Sequence, residues 1–212
     1  MAEFTLHCFA QSGNAYKVAL MLELNGADWE PAWMDFFNGA SRQPDFRDNV
    51  NEMGEIPVLE HGSTKLTQSG VILDYLAEHF ETYGWNGSTE RRDILRWILF
   101  DNHKLTSYTA TLRFLRAFAK TGETEITRWL EGRALSAYKV LDRHLAERDF
   151  VVGGRPTIAD LSLCGYLFWP DEIGIDLSRF ENINRWLGNI KSLPGWTDPY
   201  ALMPGHPLPA AG

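Results

Sequence analysis

Residues alternate at period two from the start of the chain: Phe4, Leu6 and Cys8 fall on one side and Thr5, His7 and Phe9 on the other, predicting a strand over 4–9. The polar stretch Gln11-Ser12-Gly13-Asn14 interrupts it. In the following AYKVALMLELNG, Val18, Met21, Leu22 and Asn25 recur at helical spacing, and Gly26 supplies a stop. Residues 28–37 carry Trp29, Trp33, Phe36 and Phe37 but are broken by Pro31, so a strand followed by irregular structure is expected there. A short helix fits 42–49. A strand pair around Val58 and Leu66, turning through His61-Gly62-Ser63, and a helix over 70–80 complete the order β-α-β-α-β-β-α. Such an order suits a small mixed sheet flanked by helices.

The stretch YGWNGS, residues 83–88, breaks all periodicity and reads as a linker. Beyond it the pattern is helical only. A long helix capped by Ser88 or Thr89 is expected to run to about Phe118, and Ile126, Leu130, Ala134, Ala137, Leu141 and Leu145 mark a second, antiparallel to it. Thr157 and Asp160 stand at capping-box spacing before a third helix that continues through Leu161, Cys164, Gly165 and Phe168. A last helix, Ile183 to Leu193, stops at Pro194-Gly195, and the proline-rich tail PGHPLPAAG is expected to wrap the surface or stay disordered. The expected fold class is therefore α/β followed by all-α. The expected domains are residues 1–82, a linker over 83–88, and a helical domain over 89–212.

Charge narrows the partners. A net charge of −8 argues against nucleic acid, which needs a clustered cationic surface, and gives no support for an anionic membrane surface. No apolar run approaches a membrane span, and MAEFTLHCFA has an acid where a signal peptide carries bases, so a cytoplasmic protein is expected. Cys8 and Cys164 are too few for a disulfide framework and read as reduced, buried thiols. The chain contains no H-x-x-x-H, G-x-x-x-x-G-K or G-x-G-x-x-G, so no metal or nucleotide is expected from motifs.

The chemistry concentrates between Asn51 and Phe80. Pro57 cannot donate to a ladder, so it belongs at a strand entrance or edge, where a cis bond would turn the N–H and C=O of Ile56 outward to pair with a peptide-like ligand. Gln68 and Ser69 lie just before a helix, where amide donors and the positive dipole end favour a carboxylate. An ordinary polar loop and cap is the plainer reading of that pair.

Taken with SGNAYKV, RPTIADLSL and NINRWLGNIKSLPGW, in this order and spacing, the I-P and Q-S pairs resemble the soluble glutathione transferases over nearly the whole chain. Within that family the likeness is to bacterial-like members with a serine in the first loop, relatives of the zeta and omega types. The resemblance implies a thioredoxin-like glutathione-binding domain, a helical domain that binds a hydrophobic electrophile, a homodimer, and glutathione as co-substrate. It places Ser12, five residues before Lys17, as the donor to the glutathione thiolate. A free thiol has a pKa of about 8.5, and lowering it by about 2 units takes roughly 2.7 kcal/mol, within reach of one charge-assisted hydrogen bond plus a helix dipole. Asn14, through its side-chain NH₂, is the first rival, Tyr16 the second, and either Ser12 or Asn14 would also serve simply as a helix cap.

By the same resemblance, Ile56, Pro57, Gln68 and Ser69 hold the peptide, and Arg42 meets the glycine carboxylate. The spacing of Trp97, Phe100, Lys104 and Tyr108 puts them on one helical face, either as an electrophile pocket or as ordinary core. A glutathione-dependent isomerase or ether-cleaving lyase would share the first domain, although SGN departs from the zeta-type S-S-C. A non-catalytic glutathione-binding protein would keep Ile56 and Gln68-Ser69 and dispense with Ser12.

Overall fold

A computed structural model describes residues 2–208. The chain divides into two compact units, Met1–Thr82 with Pro194–Gly212, and Tyr83–Leu193. The first unit follows the expected order: β1 (Phe4–Cys8), α1 (Gly13–Leu24), β2 (Trp29–Trp33), a 3₁₀ turn at Ala40–Arg42, α2 (Pro44–Asn49), β3 (Val58–His61), β4 (Thr64–Thr67) and α3 (Ser69–Phe80). Its thioredoxin-like sheet runs β2-β1-β3-β4, with β1 parallel to β2 and the other pairs antiparallel. Pro31 sits inside β2, which it can do because β2 is an edge strand. Phe4, Leu6 and Cys8 are fully buried on one face of β1, as their alternation requires.

The helix α1 is buried on all sides, including Tyr16 and Lys17, which helical periodicity did not mark. Besides α3 and β1, the C-terminal segment contributes to this burial. Residues 194–208 do not belong with the helical half, as expected, but with the sheet. Within them a short helix at Pro199–Leu202 packs against α1, and the Tyr16 hydroxyl donates to the Thr197 carbonyl at 2.9 Å. Further on, the Ala10 N–H donates to Pro204 O at 2.8 Å and Gln11 Nε2 to Gly205 O at 2.9 Å. Gly205 has φ +94°, and a Cβ there would lie 2.6 Å from Trp33 Nε1, so both conformation and space require glycine. The tail expected to wrap or stay disordered is therefore ordered as far as Leu208, and its last four residues lie outside those described.

The second unit is helical among the described residues. Its first helix begins at Gly87 with Asn86 as cap, not Ser88 or Thr89, because the Glu90 carboxylate accepts the Asn86 N–H and is itself held by Arg155 at 2.8 Å. One helical run then extends to Phe118 as expected, through α4 (Gly87–Phe100) and α5 (Thr106–Arg113), with widened π turns at Asp101–Leu105 and Phe114–Phe118. At the first of these the buried Asp101 carboxylate accepts the hydroxyls of Thr106 at 2.7 Å and Ser162 at 2.6 Å. Then follow α6 (Glu125–His144), α7 (Ile158–Cys164), a short α8 (Pro170–Ile173) that the pattern did not mark, and α9 (Glu181–Lys191). The predicted capping box at Thr157 and Asp160 forms in both directions. No helix of the described residues is long and apolar enough to cross a membrane.

Candidate active site

Strand register decides which loops meet. His7 pairs with Val58, and Val58 with Thr67, so these three residues form one row across β1, β3 and β4. Beyond that row, at the same end of the sheet, come the loop from β1 into α1, the Ile56-Pro57 peptide and the Gln68-Ser69 pair. Strands lie about 4.8 Å apart, so the first and last of these loops are separated by roughly 10 Å, the reach of an extended tripeptide.

Ser12 is the N-cap of α1: its backbone is extended and its Oγ accepts the Ala15 N–H at 3.1 Å. A hydroxyl has one donor hydrogen and two lone pairs, and no described residue receives that hydrogen. Capping and donation are thus compatible at this side chain. Asn14, in the first turn, has a buried Oδ1 with no hydrogen-bond partner among the described residues. Tyr16 is fully buried with its donor engaged on Thr197. Burial pushes the Cys8 thiol up to about 12, so the one cysteine near this loop stays protonated and offers no rival nucleophile.

The Ile56-Pro57 bond is cis, and no hydrogen bond among the described residues uses the Ile56 N–H or C=O. Gln68 precedes α3 in a conformation rare for a residue with a side chain, φ +69° and ψ +113°. Its carbonyl accepts the N–H groups of Val71 and Ile72, and its Nε2 donates to Glu55 Oε2 at 2.7 Å. No side chain among the described residues caps α3, so its first amides and the buried Ser69 stand at the positive end of the helix. Outliers of this kind are held in place by surrounding structure and collect at functional sites. Arg42 is exposed in the 3₁₀ turn. That turn is close to Gly54, two residues before Ile56 in the chain, because a Cβ on Gly54 would lie 3.0 Å from Ser41 O.

The second-unit set is not brought together as one face. Trp97 is buried against His144, with ring centroids 4.4 Å apart, and touches Phe100 edge-on. Lys104 and Tyr108 are half-exposed neighbours, and the Tyr108 hydroxyl accepts from Arg133 Nη2 at 3.1 Å. That guanidinium, assisted by Lys104, holds the phenol below its usual pKa. The π turn at Asp101–Leu105 explains the split: an extra residue in the turn rotates everything after it away from the 3.6-residue stripe. Sequence reasoning also missed Gln11, Glu55 and the Pro204-Gly205 carbonyls, whose partners are remote in the chain or unmarked by any motif.

The model of the glutathione S-transferase N-terminal domain matches residues 2–78, and that of the C-terminal domain residues 108–194. A solved structure described as a possible glutathione S-transferase from Rhodopseudomonas palustris is 32% identical, with a TM-score of 0.88, over 94% of this chain and 98% of that one. Glutathione S-transferase 3 of Zea mays is 28% identical over all of this chain and 99% of its own. Maleylacetoacetate isomerase of Rhizobium meliloti (strain 1021) is 29% identical over 83% of this chain and 85% of its own.

Proposed function

Since the chain belongs to the glutathione S-transferase family, we propose that it binds glutathione at the Ser12 end of the sheet and conjugates the thiolate to a hydrophobic electrophile. The observation that carries this reading is the Ser12 hydroxyl, seated at the start of α1 with its hydrogen unused. In the proposed complex Ile56 pairs its free N–H and C=O with the ligand backbone beside Pro57, while Ser69 and the first amides of α3 receive the γ-glutamyl carboxylate. Gln68 orients that end, and Arg42 approaches the glycine carboxylate. Ser12 donates to the sulfur, and the α1 dipole adds to the stabilisation of the anion. Asn14 is the second candidate donor. The sulfur then attacks a carbon electrophile, forming the S–C bond while the leaving group departs with its electron pair. The protein supplies thiolate stabilisation and proximity and forms no covalent intermediate of its own. Lys104 and Tyr108 are proposed to contact the electrophile, whereas Trp97 and Phe100, which touch each other before the π turn, are proposed to support that helix.

Glutathione at 100 times its dissociation constant adds about 2.7 kcal/mol to stability, so a thermal melt should move upward and calorimetry should show binding. Absence of both would remove the proposal. The likeness to the isomerase favours a second reading, in which glutathione adds and is then released. Mass balance separates the two, since a transferase consumes glutathione and an isomerase returns it. Binding without turnover over a panel of electrophiles would mark a non-catalytic ligand-binding protein. We also propose a homodimer: Leu95 and Leu99 are exposed one turn apart on α4. Light scattering at 24 kDa, independent of concentration, would defeat that assembly.

A further inference from the structure

At the opposite end of the same sheet, three side chains from separate elements converge. Glu3 precedes β1, His61 ends β3 beside Phe4, and His79 lies in the last turn of α3. Glu3 Oε1 is 3.4 Å from His61 Nε2 and 3.4 Å from His79 Nε2, and one ligand atom from each residue lies within 4.8 Å of the other two. Zinc bonds of about 2.0–2.1 Å at the tetrahedral angle set ligand atoms about 3.3–3.4 Å apart. The two Glu3 distances already have that length.

We propose that Glu3, His61 and His79 form a binding site for a zinc-class divalent cation, with a fourth position left to water. The donor set selects the metal: two imidazoles and one carboxylate suit zinc and its neighbours, whereas calcium and magnesium take oxygen. The surroundings have the features of a supporting shell. The Tyr75 hydroxyl is 2.7 Å from His61 Nδ1, and as an acceptor from Nδ1–H it leaves the Nε2 lone pair for the metal. Buried Phe4 lies under both rings, with centroids 4.4 Å from His61 and 5.5 Å from His79. The bound ion would tie the first strand, the end of β3 and the end of α3 to one another. The site lies three residues along β1 from the row that marks the glutathione end, about 10 Å away, so the inference stands independently of the glutathione reading.

The test uses the full chain without an affinity tag, stripped with a chelator and kept free of glutathione, which itself binds zinc. Calorimetry with zinc chloride should show one ion per chain, cobalt should give visible absorption bands, and zinc should raise the melting temperature. Glu3→Gln and His79→Gln, both at exposed positions, should each weaken binding at least 10-fold, and His103→Gln, on the helical unit, should leave it unchanged. No zinc heat and no cobalt bands for the wild-type chain would show an ordinary polar contact between Glu3 and the two histidines. Binding that survives both substitutions would place the ion elsewhere, and either result overturns the proposal.

Discussion

The helices α1 and α7 both begin on a hydroxyl, and the two hydroxyls are used differently. At α7 the Thr157 Oγ1 accepts the Ala159 N–H at 3.3 Å and donates to Asp160 Oδ2 at 3.0 Å. Asp160 also receives the N–H groups of Val151 and Thr157 and the Trp186 indole, all within 2.9 Å, in a fully buried setting. At α1 the Ser12 Oγ accepts the Ala15 N–H, and its hydrogen goes to no described residue. One cap is closed on itself and serves stability. The other keeps a donor in reserve at the end of the sheet where Ile56, with its own amide and carbonyl free, also opens. A capping role is therefore no argument against a chemical one; the hydrogen's destination decides.

The largest effect is expected from opening the closed cap. Asp160→Ala would strand four buried donors and should cost about 3–5 kcal/mol in urea unfolding, the range for breaking a buried charged network. Burial outweighs those donors and pushes the Asp160 carboxyl up to about 6. A raised carboxyl contributes stability that is fully present below about pH 3.9 and lost as pH rises through 6. The stability difference between wild type and Asp160→Asn should therefore shrink from pH 4 to pH 7. Growth of that difference over the same range would mean that the donors win.

Removing the open hydroxyl should act mainly on rate. Ser12→Ala is expected to raise the pKa of bound glutathione and cut turnover about 10- to 1000-fold, equivalent to about 1.4–4 kcal/mol in the transition state. Affinity should move much less, since Ile56 and Ser69 remain. Should Asn14→Ala abolish turnover while Ser12→Ala leaves rate and thiol pKa alone, the asparagine is the donor and the comparison collapses to two plain caps.

Thr157→Ala should be the reverse case, lowering stability by about 1–2 kcal/mol with turnover per folded molecule unchanged. A parallel fall in turnover would mean that the closed cap also bears on chemistry. The smallest effect is expected at Gln68, where φ +69° is costly for any residue with a Cβ. Gln68→Gly should relieve that cost and, after the added backbone entropy, change stability by about 1 kcal/mol or less, while glutathione affinity falls. A stability loss of several kcal/mol would show that the Glu55 bond, not the ligand, justifies the conformation.

The parts legible in the sequence are those whose causes are local. Alternation at Phe4, Leu6 and Cys8, the spacing of Thr157 and Asp160, and Pro57 before an apolar run each act through neighbours in the chain. The illegible parts depend on distant partners. The π turn holds Asp101 against Ser162, residues 194–208 help to bury α1, and Lys104 and Tyr108, which follow that turn, left the predicted stripe because of it. For the same reason no motif announces Glu3, His61 and His79, which meet only once the sheet is assembled.

The bonds from Ala10 and Gln11 to Pro204 and Gly205 also impose an order on biosynthesis. A chain leaving the ribosome N-terminus first exposes the Ser12 loop long before the Pro204 and Gly205 carbonyls that fasten that loop have been made. The whole helical unit is translated in between. Until Pro204 and Gly205 have been added, the nascent chain carries a sheet whose site-bearing loop lacks its fastening, so truncated translation products that stop before Pro204 cannot assemble it.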